Sequence, residues 1–219
     1  MRLIQYLLLS TTLLISALYG EETQSSSQLW NTTTAYLPLS KQINTRVEAQ
    51  MRTTIKSRKL VHKHIEFEVV SPILPFVSFG AGYRQSDFTS EFKDRKDHMP
   101  FLTLTTGFSK QGWGLTYKGR AEYLFLEKLR SQDVHLYRHK LSVDIPVNMG
   151  RSKVQTFLSS ELFFIEGKIL TENRFKIGIR ELVNKKILGD FFYQLRTVKS
   201  ASMTWDNYHD IGIYTTILF

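Results

Sequence analysis

Two faces alternate along most of this chain, and their strand period leaves few folds open. From Ile43 to Lys56 the odd positions read Ile43, Thr45, Val47, Ala49, Met51, Thr53 and Ile55. The even positions read Asn44, Arg46, Glu48, Gln50, Arg52, Thr54 and Lys56. Successive side chains of a β-strand point to opposite sides, so one face is apolar and the other is charged. Trp113 to Phe125 repeats the pattern: Trp113, Leu115, Tyr117, Gly119, Ala121, Tyr123 and Phe125 share a face opposite Lys118, Arg120 and Glu122. The closing stretch puts Ile211, Ile213, Thr215, Ile217 and Phe219 on one side. Apolar faces tipped with aromatics, repeated on strand after strand, suit a sheet with lipid on one side and polar groups on the other.

Further strands are expected at Leu29–Leu37, His64–Val70, Pro75–Arg84, Phe101–Ser109, Leu136–Val147, Val154–Phe164, Arg174–Leu182 and Ile187–Thr197. Turn chemistry separates several of them, as at Lys110-Gln111-Gly112, Asn148-Met149-Gly150 and Asn184-Lys185-Lys186. Tight turns alternate with longer polar connections. The fold class that follows is all-β: a single antiparallel transmembrane β-barrel of about 10–12 strands in an up-and-down meander. The count comes to eleven. Single-chain bacterial barrels have even numbers, so ten or twelve is expected. A soluble β-sandwich, with Val47, Met51, Tyr117 and Ala121 as its dry centre and the arginines in solvent, is the competing architecture.

Residues 1–20 have the form of a secretory signal peptide. Arg2 supplies the positive start, Leu7-Leu8-Leu9 through Leu13-Leu14-Ile15 the apolar run, and Ala17 and Gly20 small residues for cleavage, with Gly20 preferred. Residues 21–219 are then the barrel domain. No later stretch approaches the length of a transmembrane helix. The chain has no cysteine, which excludes disulfides, thiolate metal sites and an amino-terminal lipid anchor on Cys. A net charge of +9 invites nucleic acid as a partner, but the basic residues are scattered, and an exported chain does not meet DNA.

One family resemblance is carried by Gln28-Leu29-Trp30, by the spaced Arg46, Glu48 and Arg52, and by Glu161-Leu162-Phe163-Phe164 followed by Asn173-Arg174. A tyrosine strand around Tyr193 and the closing strand complete it. The sequence resembles the domain of unknown function 2490 family, uncharacterised bacterial outer-membrane β-barrel proteins. Its middle departs from the family pattern, with Lys118, Arg120 and Glu122 in place of a tighter arginine–glutamate spacing. The resemblance implies fold and location and no established activity. The last strand also resembles the insertion signal of outer-membrane barrels. That implies a signal formed by Ile211, Ile213, Ile217 and Phe219, read by the barrel-assembly machinery. It further implies outer-membrane lipid and lipopolysaccharide as surroundings, and both chain ends on the periplasmic side.

Inside such a barrel the polar faces would bring together Arg46, Glu48, Arg52, Arg84, Lys118, Arg120, Glu122, Arg138, Lys140, Asp144, Glu161, Arg174, Lys176, Arg180, Asp190 and Arg196. Guanidinium and carboxylate on adjacent strands can pair, in bidentate fashion where geometry permits. One reading is a structural network filling a narrow lumen; the other is a basic constriction favouring small anionic solutes. An enzyme acting on lipid or peptide at the outer rim is an alternative, through His98, His139 or His209. A surface-loop adhesin working through the stretch Phe88 to Asp97 is another. Lys56-Ser57-Arg58-Lys59 with His62-Lys63-His64 reads as a basic loop without an acidic partner for a metal. No cofactor, metal or catalytic residue is indicated.

Overall fold

A computed structural model describes residues 27–40, 42–89, 95–126, 134–149, 152–166, 169–200 and 203–219. The expected signal peptide, residues 1–20, and its cleavage after Gly20 lie outside the described residues. Eleven strands close into a barrel: β1 (Gln28–Pro38), β2 (Asn44–Thr54), β3 (Leu60–Leu74), β4 (Val77–Phe88), β5 (Arg95–Lys110), β6 (Trp113–Leu126), β7 (Val134–Met149), β8 (Ser152–Ile165), β9 (Ile169–Asn184), β10 (Ile187–Lys199) and β11 (Trp205–Leu218). Each pairs antiparallel with its neighbour in sequence. The closing pair, β1 with β11, is parallel, with Thr33 opposite Thr215. Closure leaves no sheet edge unpaired, so every strand's backbone bonds are made within the sheet.

Two expectations fall here. The even count is overturned, because all eleven strands pair, the Trp30 strand included. A meander with an odd number of strands brings its first and last strands together in the same direction, so closure must be parallel. Within the described residues, the start of β1 and the end of β11 are then not on one rim. Gln28, at the start of β1, lies on the long-loop side next to Asp210, and Leu218 pairs with Tyr36 near the end of β1, on the opposite rim.

The expected asymmetry of the connections is present. On the rim where β11 ends, four connections take only residues 75–76, 111–112, 150–151 and 185–186, with the longer 39–43 beside them. On the other rim the connections span 55–59, 89–94, 127–133, 166–168 and 200–204. Several strands extend beyond their expected bounds. β3 begins at Leu60, so His62 and His64 are strand residues and not part of a solvated loop. β5 begins at Arg95, which leaves only 89–94 of the expected long connection between β4 and β5. β9 begins at Ile169.

The alternation resolves into an inverted protein. Among the described residues six apolar side chains are buried, against nineteen polar or charged ones. Met51, Ile65, Phe67, Leu102, Leu104 and Leu115 point outward, with Met51 58% exposed, while Glu66, Glu68 and Asp210 are at most 2% exposed. This excludes the sandwich, in which Met51 would have been interior. The small apolar cluster inside the barrel, Trp30, Phe157 and Phe192 with Tyr214 against it, is seated on glycines. The Phe192 ring lies over Gly212 and the Phe157 ring over Gly178, so closely that a Cβ at either position would overlap it.

The parallel seam can be tested directly because the chain has no native cysteine. Thr33→Cys with Thr215→Cys puts two thiols opposite each other on the outer face. Oxidation is expected to yield an intramolecular disulfide, read as a reductant-sensitive shift in gel mobility. Pairing Thr33→Cys with a cysteine at Thr105, on the far strand β5, is expected to give none.

Candidate functional site

The lumen is organised by a layer of ions built on β2, β3 and β6. His64, Glu66 and Glu68 alternate with Ile65, Phe67 and Val69 along β3, which places the three polar groups inside. Arg46 on β2 donates from Nη1 to Glu48 (2.7 Å), from Nε to Glu68 (2.8 Å) and from Nη2 to Glu66. Arg120 on β6 reaches the same Glu66 with a two-pronged contact, both N···O distances being 2.7 Å. β6 and β3 are separated by two strands in the sheet, so this fork crosses the lumen. Lys118 follows the same route to Glu68 at 3.3 Å, and Thr103 donates to Glu68.

From this layer the pairing continues around one wall. Glu122 accepts from Arg84 (2.7 Å) and Arg138 (3.0 Å), and Arg138 also donates to Glu161 at 2.7 Å. Arg174 contacts Glu172 at 2.5 Å and Glu161 at 3.7 Å. Glu48 is saturated from several strands, by Thr34, by Tyr214 across the seam and by His64 at 3.2 Å. Asp210, fully buried on β11, accepts from Arg196, Gln194 and the backbone N–H of Gln28. Burying a carboxylate costs several kcal/mol unless charged donors meet its lone pairs, and Glu48, Glu66, Glu68, Glu122, Glu161 and Asp210 each meet at least two donors.

A chamber of about 400 Å³ lies on the long-loop side of this layer. It extends to the strand ends at that rim, where Phe88, Arg95, Leu124 and Leu136 line it. Eleven lysines and arginines border it against six acidic residues. Three of these cations have no carboxylate within ion-pair distance among the described residues. Arg52 donates to Gln50 (2.7 Å) and stacks over Trp30 at 3.7 Å. Lys176 sits 4.0 Å above Phe192. Lys140 stands opposite Glu161 in the β7–β8 register, but Arg138 and Arg174 already contact that carboxylate. Lys176 stands opposite the buried Ser159 in the β8–β9 register, and Lys140 lies on β7, the strand on the other side of β8.

Of the residues expected in the lumen, thirteen border this chamber. Asp144, Arg180 and Asp190 do not. They form a separate cluster toward the short-turn rim, where Arg180 forks onto Asp190 (2.8 and 2.9 Å) and reaches Asp144 at 3.1 Å. Sequence reasoning missed Glu66 and Glu68, the centre of the ionic layer, and Asp97, Glu172 and Asp210. The signal for the first two was present in the alternation around Ile65 and Phe67. His62 and His64 also face the chamber, 5% and 8% exposed. Among the described residues no three His, Cys, Asp or Glu side chains are grouped to hold a metal. His98, His139 and His209 each contact a tyrosine on the barrel's outer side. Ile211, Ile213 and Ile217 share the face opposite Asp210, also outward.

Comparison with known proteins gives one family. The profile of the family described as Protein of unknown function (DUF2490) matches residues 27–207, from the start of β1 into β11. No curated protein matches.

The ionic layer makes a quantitative prediction. Glu66→Gln leaves two buried arginines competing for fewer charged acceptors, and is expected to cost about 3–5 kcal/mol in reversible urea unfolding. Asp144→Asn, in the partly exposed cluster, is expected to cost no more than about 1 kcal/mol by the same measurement.

Proposed function

The chain belongs to the DUF2490 family, and on that premise we propose that it is a bacterial outer-membrane barrel whose working site is the basic internal chamber, which receives small anionic solutes. The observation that carries this reading is the chamber's imbalance: eleven cations against six acids, with Arg52, Lys140 and Lys176 unmatched. An ammonium or guanidinium held away from water is stabilised by a counter-charge. Aromatic faces supply part of that through Trp30 and Phe192. A phosphate or carboxylate entering from the long-loop side would supply the rest, with Arg52 offering a planar fork and the two lysines point charges.

The outward belt of Met51, Ile65, Phe67, Leu102, Leu104 and Ile213 supports insertion in a bilayer. Short turns then face the periplasm and longer loops the exterior. The signal peptide would deliver the chain for export, and Ile211, Ile213, Ile217 and Phe219 would present the strand that the assembly machinery reads. The cross-lumen fork from Arg120 to Glu66 argues against a passive pore, since it sets bonded charges across the lumen between the chamber and the short-turn rim. The reading is therefore a binding chamber floored by bonded charges, and not a diffusion channel.

Three measurements test it. The protein is expected in the outer-membrane fraction with heat-modifiable gel mobility; release with soluble periplasmic proteins would contradict the reading. In planar bilayers it is expected to show no steady conductance. Inorganic phosphate is expected to raise its unfolding midpoint, and Lys176→Met with Arg52→Met to weaken that response about tenfold, roughly 1.4 kcal/mol. A phosphate response unchanged in the double variant would remove the chamber from the account.

A further inference from the structure

Four of the six histidines face outward, and three of them repeat one geometry. The Tyr117 hydroxyl meets His139 Nδ1 at 2.7 Å, the Tyr193 hydroxyl meets His209 Nδ1 at 2.5 Å, and Tyr83 makes the same contact with His98. In each case the tyrosine is on an even-numbered strand and the histidine on the next. The histidine stands two residues before the tyrosine's direct partner, which is Leu141, Ile211 or Pro100. The fourth, His135, packs edge-on against Tyr123, its direct partner, with ring centroids 5.0 Å apart.

These pairs fall at a consistent depth. His98, His139 and His209 all lie within the first six residues of their strands, counted from the long-loop rim. Beyond each histidine the outer face turns apolar. On β5 it continues as Pro100, Leu102, Leu104, Thr106 and Phe108. On β7 it continues as Leu141, Val143, Ile145 and Val147, and on β11 as Ile211, Ile213, Thr215 and Ile217. β3 has the same boundary at Lys63, which pairs with Asp87 at 3.3 Å before Ile65, Phe67 and Val69 begin. The histidine is thus the last polar outward group before the apolar belt. Lys96, exposed, precedes His98 on the same face.

An imidazole facing hydrocarbon leaves polar atoms unsatisfied, whereas at the headgroup level it meets acceptors. A tyrosine hydroxyl that donates to Nδ1 places the ring proton on Nε2, and fixes that N–H as an outward donor. Protonation of the ring leaves Nε2–H a donor and adds a positive charge. Phosphate oxygens accept such bonds strongly.

We propose that the Tyr83–His98, Tyr117–His139 and Tyr193–His209 pairs form a belt that seats the phosphate groups of the lipid leaflet at the long-loop side. The occupant is an anionic phosphorylated lipid headgroup, lipid A in an outer membrane. The belt is separate from the chamber, and rests on the membrane part of the proposed function alone.

The test refolds the full chain into phosphatidylcholine vesicles containing equal amounts of lipid A and lipid A stripped of its phosphates. Insertion is read by heat-modifiable mobility, and co-purifying lipid by mass spectrometry after detergent extraction. Wild type is expected to retain the phosphorylated form about tenfold over the stripped form. His98→Phe with His139→Phe and His209→Phe is expected to bring that ratio near one. Tyr83→Phe with Tyr117→Phe and Tyr193→Phe preserves bulk and removes only the hydroxyls, and is expected to lower the ratio at least threefold, about 0.7 kcal/mol. If the histidine variant does not fold, the tyrosine variant decides. A ratio near one in inserted wild type, or a ratio unchanged in the folded variants, overturns the belt alone. Wild type that fails to insert in any vesicle overturns the membrane reading and the belt with it.

Discussion

Glu66 holds the interior of this barrel together. It receives Arg46 from the neighbouring strand and a two-pronged Arg120 from across the lumen, and is almost fully excluded from solvent. A barrel with its apolar surface turned outward has no large greasy core to hold its walls apart at the right distance. Its lumen must be filled by polar groups, and those groups must satisfy one another because little water reaches them. The Arg46–Glu66–Arg120 layer does this, and the remaining pairs extend from it: Glu68 to Lys118 and Thr103, Glu122 to Arg84 and Arg138, Glu161 to Arg138 and Arg174.

Local sequence supports this layer wherever a large group needs room. Glycines lie beneath Phe157 and Phe192, and Gly80 leaves space for the Glu68 carboxylate and Thr103. The same economy appears on the seam. β1 carries small threonines at Thr32 and Thr34, both buried, so that Glu48 and Gln50 of β2 can reach past them toward Tyr214 and the lumen. The parallel pairing of β1 with β11 follows from the odd strand count. It puts the start of the first strand and the end of the last on opposite rims.

Charge is distributed unevenly over this scaffold, and the unevenness gives it chemical character. Pairing satisfies Arg46, Arg84, Arg120, Arg138 and Arg174, while Arg52 and Lys176 stand against aromatic faces and Lys140 is opposite a carboxylate already engaged by Arg138 and Arg174. On the outside, tyrosine–histidine pairs mark one edge of the apolar belt, and no counterpart occurs at the short-turn edge among the described residues. Interior and exterior therefore both distinguish the two rims, by independent sets of residues.

Much of this was legible in residue order. Strand period depends only on neighbours two apart, so Ile43 to Lys56 and Trp113 to Phe125 declared their two faces without any tertiary information. Turn residues placed most breaks, and sixteen lumen charges could be named because each lay on the polar side of such a pattern. Strand ends were less legible, since His62, His64, Arg95 and Asp97 sit in segments whose polarity reads as loop. Pairing decided the rest. No local pattern distinguishes a carboxylate that will meet two arginines, such as Glu66, from one that will meet none, because its partners lie 20 and 54 residues away in the chain. Which rim each end occupies, how Asp144, Arg180 and Asp190 separate from the main layer, and which cations remain unmatched all depend on closure. Closure is a property of the whole ring of strands: one strand more or fewer reverses the last strand and changes every contact across the lumen.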